Sequence, residues 1–334
     1  MHYRIATLLI LFNLLSLGKV CSQGCSDPGI CTSGSLNAGN TQDSAASIDF
    51  TLASLDDLLN ATVASEKYRL GTDVVYGRGD KGTAIYNLVI RASMRIQERV
   101  LINVKMPLAY IKGNIGNTSG TGDLTLTMQN TFKSGKSMNL AYTVGVIIPT
   151  NSANLMYVNR VMPMAYQSSL GLYSGLAGLS MRYKTWSAVL GYQQSFGSNE
   201  NGFWEVPATD PNDENYELDK KRSQYYSSKN LTRSADLIVR LEKGFELKKM
   251  SIAIGTLPIL RIGTSSIVDS TGAEVSVEGS DGLTLNFTAG ASYNISNSTF
   301  VRLNFGAPIL RRKVRPDGLS RTTVIILGFG MKFW

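Results

Sequence analysis

Histidine is nearly absent from this chain: in 334 residues the single copy is His2. Hydrolases that pair a serine with a histidine use the imidazole as general base, so that mechanism has no base in the rest of the chain. The sequence contains neither a G-x-S-x-G nor an H-E-x-x-H motif. The acidic pairs Asp56–Asp57 and Asp213–Glu214 lie in polar surroundings that are typical of surface charge. We therefore predict a protein that is not an enzyme and has no cofactor.

The first 22 residues have the composition of a secretory signal peptide. Arg4 gives a basic start, and residues 6–17 are apolar but too few to span a membrane. Val20-Cys21-Ser22 is a small-residue cleavage site. We predict that residues 1–22 are removed during export.

Cysteine is scarce, with 3 copies, and only Cys25 and Cys31 follow the cleavage site. An exported protein meets an oxidising compartment, so we predict a disulfide between these two residues. The alternative is that Cys25 is a lipidated first residue. A metal site is not favoured, because the mature chain has no histidine and no second cysteine pair.

Acidic residues are fewer than basic ones: the chain has 25 Asp and Glu and 33 Lys and Arg, which gives a formal net charge of +8. A basic balance can indicate nucleic-acid binding. However, the sequence has no basic helical segment and no known nucleic-acid motif. We predict no nucleic-acid partner and assign the excess charge to loops and to the inside of the fold.

Long apolar runs are missing too, because no mature segment has 18 consecutive apolar residues. Alternation is abundant instead, most clearly in residues 283–294 and in residues 324–333. Alternating segments of about ten residues between turns are typical of transmembrane β-barrels. The chain ends on Phe333 and Trp334, which resembles the terminal signal that such barrels present to their assembly machinery.

Connection lengths support a barrel over a soluble sandwich. We count about twelve strands whose short connections alternate with longer ones, at 110–121, 150–168, 198–232, 263–281 and 311–320. The sequence therefore predicts an all-β fold: residues 66–334 form a transmembrane, antiparallel, up-and-down β-barrel of about 12 strands. Its predicted location is the outer membrane of a Gram-negative bacterium, with outer-membrane lipid around it.

Residues 23–65 form a separate N-terminal segment. A polar stretch, 24–47, is followed by residues 48–63, where Leu52, Leu55, Leu58 and Leu59 have the spacing of a short amphipathic helix. This segment is either a plug in the barrel mouth or a periplasmic tail.

Charged residues on the polar face of the predicted strands are candidates for the lumen, where they set selectivity. They are Arg91, Arg95, Lys105, Asp236, Arg240, Glu242 and Arg302. One interpretation is that they only hold the wall and the plug together. The other is a path that weakly favours anions.

Two long predicted loops contain unusually many apolar residues, and exposed apolar patches often mark binding. Candidates for a first capture site are Tyr157, Met162, Tyr166, Phe203 and Trp204. The alternative is that the two loops pack on each other as a lid.

Four outward-running strands have a proline near the far end. These rim prolines are Pro107, Pro149, Pro258 and Pro308. Proline cannot donate to a β-ladder, so they either end regular pairing at the rim or kink the wall and open a lateral gap.

Residues 120–126, which read GTGDLTL, open a strand after a glycine-rich stretch. This segment resembles a recurring pattern in outer-membrane channels of the phenol-degradation (meta-pathway) transporter family, which are similar to long-chain fatty acid transporter barrels. Residues 24–32, GCSDPGICT, resemble the mature start of barrels from the Bacteroidetes. The resemblance implies uptake of small hydrophobic or aromatic compounds through a plugged barrel.

From these patterns we expect a passive outer-membrane channel for small, hydrophobic or aromatic solutes. The alternative is a surface-binding or structural barrel whose long loops bind partners and which transports nothing.

Overall fold

The computed structural model describes residues 67–135, 138–205, 208–318 and 321–333. The predicted signal peptide, the segment 23–65 with Cys25 and Cys31, and Trp334 lie outside these residues. No helix within the described ranges is long and apolar enough to cross a membrane.

The described residues form strands, one short α-helix and two 3-10 turns. The strands are β1 (Tyr68–Gly79), β2 (Ala84–Gln97), β3 (Val100–Gly113), β4 (Gly116–Thr121), β5 (Leu124–Ser134), β6 (Met138–Ile148), β7 (Met156–Tyr157), β8 (Arg160–Val161), β9 (Tyr173–Tyr183), β10 (Trp186–Phe196), β11 (Asp236–Leu247), β12 (Met250–Arg261), β13 (Ser265–Val268), β14 (Glu274–Val277), β15 (Gly282–Asn294), β16 (Thr299–Leu310) and β17 (Arg321–Phe333). The helix is α1 (Tyr216–Arg222), and the 3-10 turns are Asp80–Gly82 and Met164–Tyr166.

The main sheet closes on itself. Each strand pairs with its neighbours in antiparallel fashion, and the last strand, β17, pairs with the first, β1, from Tyr68 opposite Phe333 onward. The strands β4 and β5 share one position in the wall, because both pair with β3. The result is a closed antiparallel barrel of 12 strand positions, which confirms the fold predicted from the sequence.

Side chains alternate between the two faces of the wall. In β1, Val74 is 57% exposed on the outer face, whereas its neighbours Asp73 and Val75 are buried on the inner face. In β17, Leu327 is 57% exposed. A band of exposed apolar side chains around a closed barrel is the surface that lipid covers.

Aromatic residues border the apolar outer band at both ends. At one end, Lys67 lies over the ring of Tyr68 and Lys243 lies over the ring of Trp186. At the other end, Tyr86 packs against Tyr76 and Tyr110. Such girdles occur where a barrel wall passes from hydrocarbon to headgroups.

The connections differ in length between the two ends. One end, which we call the short-turn end, has the tight turns that join β2–β3, β5–β6, β9–β10, β11–β12 and β15–β16. The opposite, loop end has four long connections: loop A (149–172), loop B (197–235), loop C (262–281) and loop D (311–320).

The interpretation of residues 110–121 as a loop is wrong. Strand β3 continues to Gly113, and β4 returns beside it from Gly116, so the segment is a hairpin that extends the wall. The inner side of this hairpin is apolar, with Ile111 and Ile115 packed against the loops above them, and this burial stabilises an ordered hairpin.

Three of the four rim prolines lie inside strands, and Pro149 directly follows β6. Opposite β3, pairing passes from β5 to β4 around Pro107. Beside Pro258 the ladder between β11 and β12 is interrupted, and beside Pro308 the register of β15 and β16 shifts. Each proline inside a strand therefore lies at an irregularity of pairing, as expected for a residue without an N–H donor.

Candidate channel lumen

The inner face of the barrel is polar toward the short-turn end. Of the seven charged residues predicted for the lumen, six have buried side chains on this face: Arg91, Lys105, Asp236, Arg240, Glu242 and Arg302. The seventh, Arg95, is half-buried near the short-turn end and donates to the backbone oxygen of Glu98 at 2.8 Å. Whether these residues set selectivity stays a prediction.

Asp73 is the acidic centre of one group of these bases. Arg91 donates to its Oδ1 at 3.0 Å, and Arg302 donates to both carboxylate oxygens at 2.8 Å. Arg69 and Lys332 lie buried on the same inner face. We did not single out Asp73, Arg69 or Lys332 from the sequence, although the alternation within β1 and β17 already assigns them to one face.

A second ion pair lies on the other side of the barrel. Arg240 contacts Glu242 at 2.5 Å within β11, and the hydroxyl of Thr288 lies 3.4 Å from the same Glu242 oxygen. Asp236 belongs to a different group near the loop end. The three charged residues of β11 therefore do not form one continuous ladder.

Glycine makes room for the charged side chains on the inner face. A side chain at Gly71 would clash with the guanidinium of Arg91, and one at Gly328 would clash with both Asp73 and Arg302. Gly255 gives the same space to Glu242. The long charged side chains therefore lie along the wall, over a neighbouring strand.

Apolar patches follow the charged zone toward the loop end. One, which we call the valine patch, consists of Val75, Val89, Val324 and Ile326. The second, on the inner face of β6 and β9–β12, consists of Ile147, Leu176, Val189, Ile238, Leu257 and Ile259. Buried apolar residues inside a barrel wall provide a surface that favours apolar solutes over water.

Loops A and B pack together over the loop end as a lid. Its core contains Met162, Tyr166 and Phe203, all at most 1% exposed, with Tyr225 from loop B and Ile111 and Ile115 from the wall. Of the remaining capture candidates, Trp204 is partly buried and Tyr157 is 37% exposed. No observation tests solute capture by these residues, so that role stays a prediction.

Buried amides join the two lid loops. Asn201 of loop B donates to the backbone oxygens of Ala153 at 2.7 Å and Met162 at 3.2 Å in loop A. Within loop A, the side chain of Gln167 accepts a hydrogen bond from the backbone N–H of Leu155 and donates one to the backbone oxygen of the same residue. Fully bonded buried polar groups of this kind hold one specific arrangement.

The lid also contains a hydroxyl pair on a shared acceptor. The hydroxyls of Tyr166 and Tyr225 are 3.2 Å apart, and both bond to Oδ1 of Asn114, which lies in the β3–β4 turn. Burial raises the pKa of Tyr166 above its ordinary value, although the hydrogen bond with Tyr225 opposes this shift. The hydroxyl of Tyr166 therefore stays protonated at neutral pH.

Asp123, inside the GTGDLTL segment, fastens loop A to the wall. It is fully buried and accepts hydrogen bonds from the hydroxyl of Ser169 and, at 3.1 Å, from the backbone N–H of Leu170. The segment thus has a structural role that the sequence pattern alone did not reveal.

Loop D is held by a charged group that we call the latch: Arg233, Asp236, Arg261, Arg312 and Asp317. Arg261 binds Asp236 through two hydrogen bonds, at 3.0 and 3.1 Å, and binds Asp317 at 2.7 Å. Arg233 lies 2.6 Å from Asp236 and 3.3 Å from Asp317. Arg312 lies 3.4 Å from Asp317.

Asp317, in loop D, is the carboxylate that Arg233, Arg261 and Arg312 of the latch surround. Burial alone would raise the pKa of Asp317, but Arg261, Arg312 and Arg233 outweigh it and hold this pKa well below its usual range. The carboxylate is therefore charged throughout the neutral pH range.

The described residues contain no cluster of three or more His, Cys, Asp or Glu side chains arranged to hold a metal ion.

No known protein-family profile matches the chain, and no curated protein matches it. Solved structures do match. The COG4313 outer membrane channel from Pseudomonas putida F1 is 14% identical, with a TM-score of 0.55 over 80% of this chain and 96% of that chain. The NanC porin is 9% identical, with a TM-score of 0.44 over 79% and 99% of the two chains. The CymD monoaromatic hydrocarbon channel is 9% identical, with a TM-score of 0.38 over 86% and 95%. The chain thus has the fold of an outer-membrane channel.

Proposed function

We propose that this protein is a passive outer-membrane channel for small hydrophobic or aromatic compounds and has no catalytic activity. The observation that carries the proposal is the inner face of the closed barrel, where apolar patches lie between an apolar lid and a charged zone. The outer band of exposed apolar side chains supports a location in a membrane.

The arrangement supports a stepwise path for a solute. At the loop end, the lid exposes Met156 and Tyr157, and methionine and aromatic side chains adapt to apolar ligands of different shape. Below it, the valine patch and its counterpart on β6 and β9–β12 continue the apolar surface. Barrels of this size lie between eight-stranded ones, which side chains fill, and sixteen-stranded open porins. Selective passage of small molecules fits this intermediate width.

Residues 23–65 act in this proposal as a plug that narrows the path, and residues 1–22 act as the export signal. The proposal also includes membership of the phenol-degradation (meta-pathway) transporter family, which the GTGDLTL segment at 120–126 supports. The buried, hydrogen-bonded position of Asp123 gives that segment a physical reason to recur in barrels with a similar lid.

Conductance in a planar bilayer tests the channel and the plug together. The refolded mature protein is compared with a variant that lacks residues 23–63. We expect small, steady currents that increase on deletion. The absence of current in both forms, together with no uptake of a small aromatic alcohol into liposomes, would contradict the channel.

One observation favours the alternative function, a surface-binding barrel. The β7–β8 hairpin of loop A exposes Met156 and Val158, which are 57% and 71% exposed, beside Tyr157. Exposed apolar side chains on a loop tip are suited to a protein partner. Binding of whole cells to a surface partner that is lost in Val158→Ser, with no conductance, would favour this alternative.

A further inference from the structure

A hollow of about 450 Å³, which we call the Ala92 hollow, lies on the outer face of the wall at the short-turn end. The row of residues nearest the turns crosses four strands: Tyr68 pairs with Phe333 on one side and with Met94 on the other, and Met94 pairs with Ile102. Tyr68, Met94 and Phe333 are between 39% and 42% exposed. The hollow therefore opens outward, to the surface that lipid covers.

Ala92 forms the floor of the hollow. It pairs with Leu70 of β1 and with Val104 of β3, and its outward neighbours along β2 are Ile90 and Met94. A single methyl group thus lies among four larger side chains. In a membrane, a hydrocarbon chain fills such an apolar gap through van der Waals contacts and leaves no polar group unpaired.

A cation lies at the rim of the Ala92 hollow. Lys67 continues the ladder beyond β1, since its N–H donates to the backbone oxygen of Phe333 at 3.1 Å and its backbone oxygen accepts from the N–H of Arg95 at 2.8 Å. The Lys67 side chain is exposed, and its ammonium group lies 5.5 Å from the centroid of the Tyr68 ring, which lines the hollow. A positive charge therefore lies directly beside the apolar surface.

The short-turn end as a whole is basic among the residues that the structure describes. Its exposed bases are Lys67, Arg99, Lys133, Lys184, Lys248 and Lys249, whereas its exposed acids are Glu98 and Glu246. Lysines beside an aromatic girdle extend their stems along apolar surface and place their ammonium groups among the lipid headgroups. Bases in this position attract anionic lipids.

Charge distinguishes between two occupants of an apolar hollow that faces a membrane. A second copy of the chain, docked by twofold symmetry, would bring its own Lys67 and its own short-turn bases to the same edge. Like charges oppose such a contact. An anionic phospholipid brings a phosphate to this edge instead, so charge complementarity favours the lipid.

We propose that the Ala92 hollow binds one anionic glycerophospholipid of the leaflet at the short-turn end. Lys67 binds the phosphate, and one acyl chain lies over Ala92, between Leu70 and Val104. The inference rests on the proposed membrane location but not on transport. In the proposed outer-membrane orientation, with short turns in the periplasm, this leaflet is the periplasmic one.

Native mass spectrometry of the full mature chain, released from a mild detergent, counts the lipids that stay bound. Phosphatidylglycerol and phosphatidylethanolamine with identical acyl chains are supplied in equal amounts. We expect one retained lipid per barrel, with about fivefold more phosphatidylglycerol than phosphatidylethanolamine, which is the ratio that one lysine at a membrane surface provides. Lys67→Gln should abolish this preference, and Lys67→Arg should keep it.

Three further variants make the result specific. Lys221→Gln is the matched charge control, because Lys221 is exposed in α1 of loop B, at the loop end, and it should leave the preference unchanged. Ala92→Phe fills the hollow and should lower the retention of phosphatidylglycerol. Ala177→Phe fills a second outer hollow, of about 540 Å³, whose described lining residues include no charged one, and it should leave the preference unchanged. Heat-modified migration in gels shows that each variant folds as a barrel.

The outcomes separate the lipid site from its rival and from the channel. Equal retention of the two lipids, or a preference that persists in Lys67→Gln, would overturn the phosphate contact. Unchanged retention in Ala92→Phe would overturn the position of the acyl chain. Dimers that retain no lipid and dissociate in Ala92→Phe would assign the hollow to a second copy of the chain. Conductance is measured separately, so loss of the lipid site leaves the channel intact, and a barrel that retains the lipid without conducting overturns only the channel.

Discussion

Arg302 donates hydrogen bonds to both carboxylate oxygens of Asp73, at 2.8 Å each, although 229 positions separate the two residues in the chain. Their strands, β16 and β1, are not neighbours, because β17 lies between them. The contact passes over Gly328 of β17, where any side chain would clash with both residues. This ion pair therefore connects β16 to β1 across β17, at the seam where the first and last strands of the barrel meet.

Replacement of Asp73 with Asn is expected to weaken this seam. The substitution removes the carboxylate that accepts hydrogen bonds from the buried guanidiniums of Arg91 and Arg302. Removal of one partner of a buried ion pair typically costs about 3–5 kcal/mol. The free energy of unfolding in urea, followed by heat-modified migration and tryptophan fluorescence, measures the loss.

A second substitution serves as the control for this experiment. Adding Arg302→Gln to Asp73→Asn also removes one of the two cations that bind Asp73, so part of the lost free energy of unfolding should return. If Asp73→Asn unfolds at the wild-type urea concentration, the ion pair does not stabilise the seam.

Loop D is expected to detach at acid pH through Asp317. The pKa of Asp317 is depressed in the folded state, so its contribution is fully present above the pKa of an unfolded Asp and is lost as pH falls toward the folded pKa. Attachment should therefore be constant between about pH 5 and pH 8 and should weaken below about pH 4. A spin label at the exposed position 313, through Lys313→Cys, reports loop D mobility by electron paramagnetic resonance.

The carboxylate itself is tested by substitution at neutral pH. Asp317→Asn should make the label as mobile at pH 7 as the wild-type label is in acid. Asp269→Asn is the matched control, because the pKa of Asp269 is also lowered, chiefly by Thr271, but this half-buried residue lies in loop C and is not part of the latch. A label that stays immobile in Asp317→Asn would show that other contacts hold loop D.

The lid is expected to loosen when Asn201 is replaced with Ala. Its side chain donates to Ala153 and Met162 and accepts from the backbone N–H of Phe203 at 3.0 Å and from Ser228 at 2.8 Å. Each buried group that loses its partner costs about 1–3 kcal/mol. Hydrogen–deuterium exchange of loop A should accelerate at least tenfold, while exchange in the barrel strands stays constant. Asn212→Ala, at an exposed position of loop B, should change neither.

The sequence predicted the wall of the barrel well because each strand has its own pattern. Residues 283–294 alternate between an outer apolar face and an inner polar face, and this signal needs no knowledge of distant residues. The same rule assigned Arg91, Lys105 and Arg302 to the polar face. It failed at residues 110–121, because glycines there gave the appearance of a loop although the backbone pairs as a hairpin.

The ion pairs depend on distant residues, and therefore the sequence did not predict them, whereas packing of the two apolar loops as a lid was one of the two predicted alternatives. Asp317 is a single acid in a polar loop, and its partners Arg233 and Arg261 lie 84 and 56 positions away. Met162 and Phe203 were recognised as apolar loop residues, but their burial depends on contacts between loops A and B. The alternation of apolar and polar residues predicts which face of the wall a side chain occupies. Which distant side chain it contacts depends on how the closed barrel brings the strands and loops together.

Gly318 is expected to be essential for the position of loop D. Its φ of +67° lies in the left-handed region, and a side chain there would clash with the backbone of Met164 and Ala165 in the lid. Gly318→Ala should therefore displace loop D and mobilise the label at position 313 even at neutral pH.

Gly272→Ala is a matched control, since Gly272 has a φ of +91° but nothing within 4 Å of an added side chain. Gly272→Ala therefore imposes only the cost of a positive φ on a residue with a side chain, about 1 kcal/mol, and causes no clash with the lid. Equal mobility of the label in the two variants would attribute the effect to strain alone and would contradict the close packing of loop D on the lid.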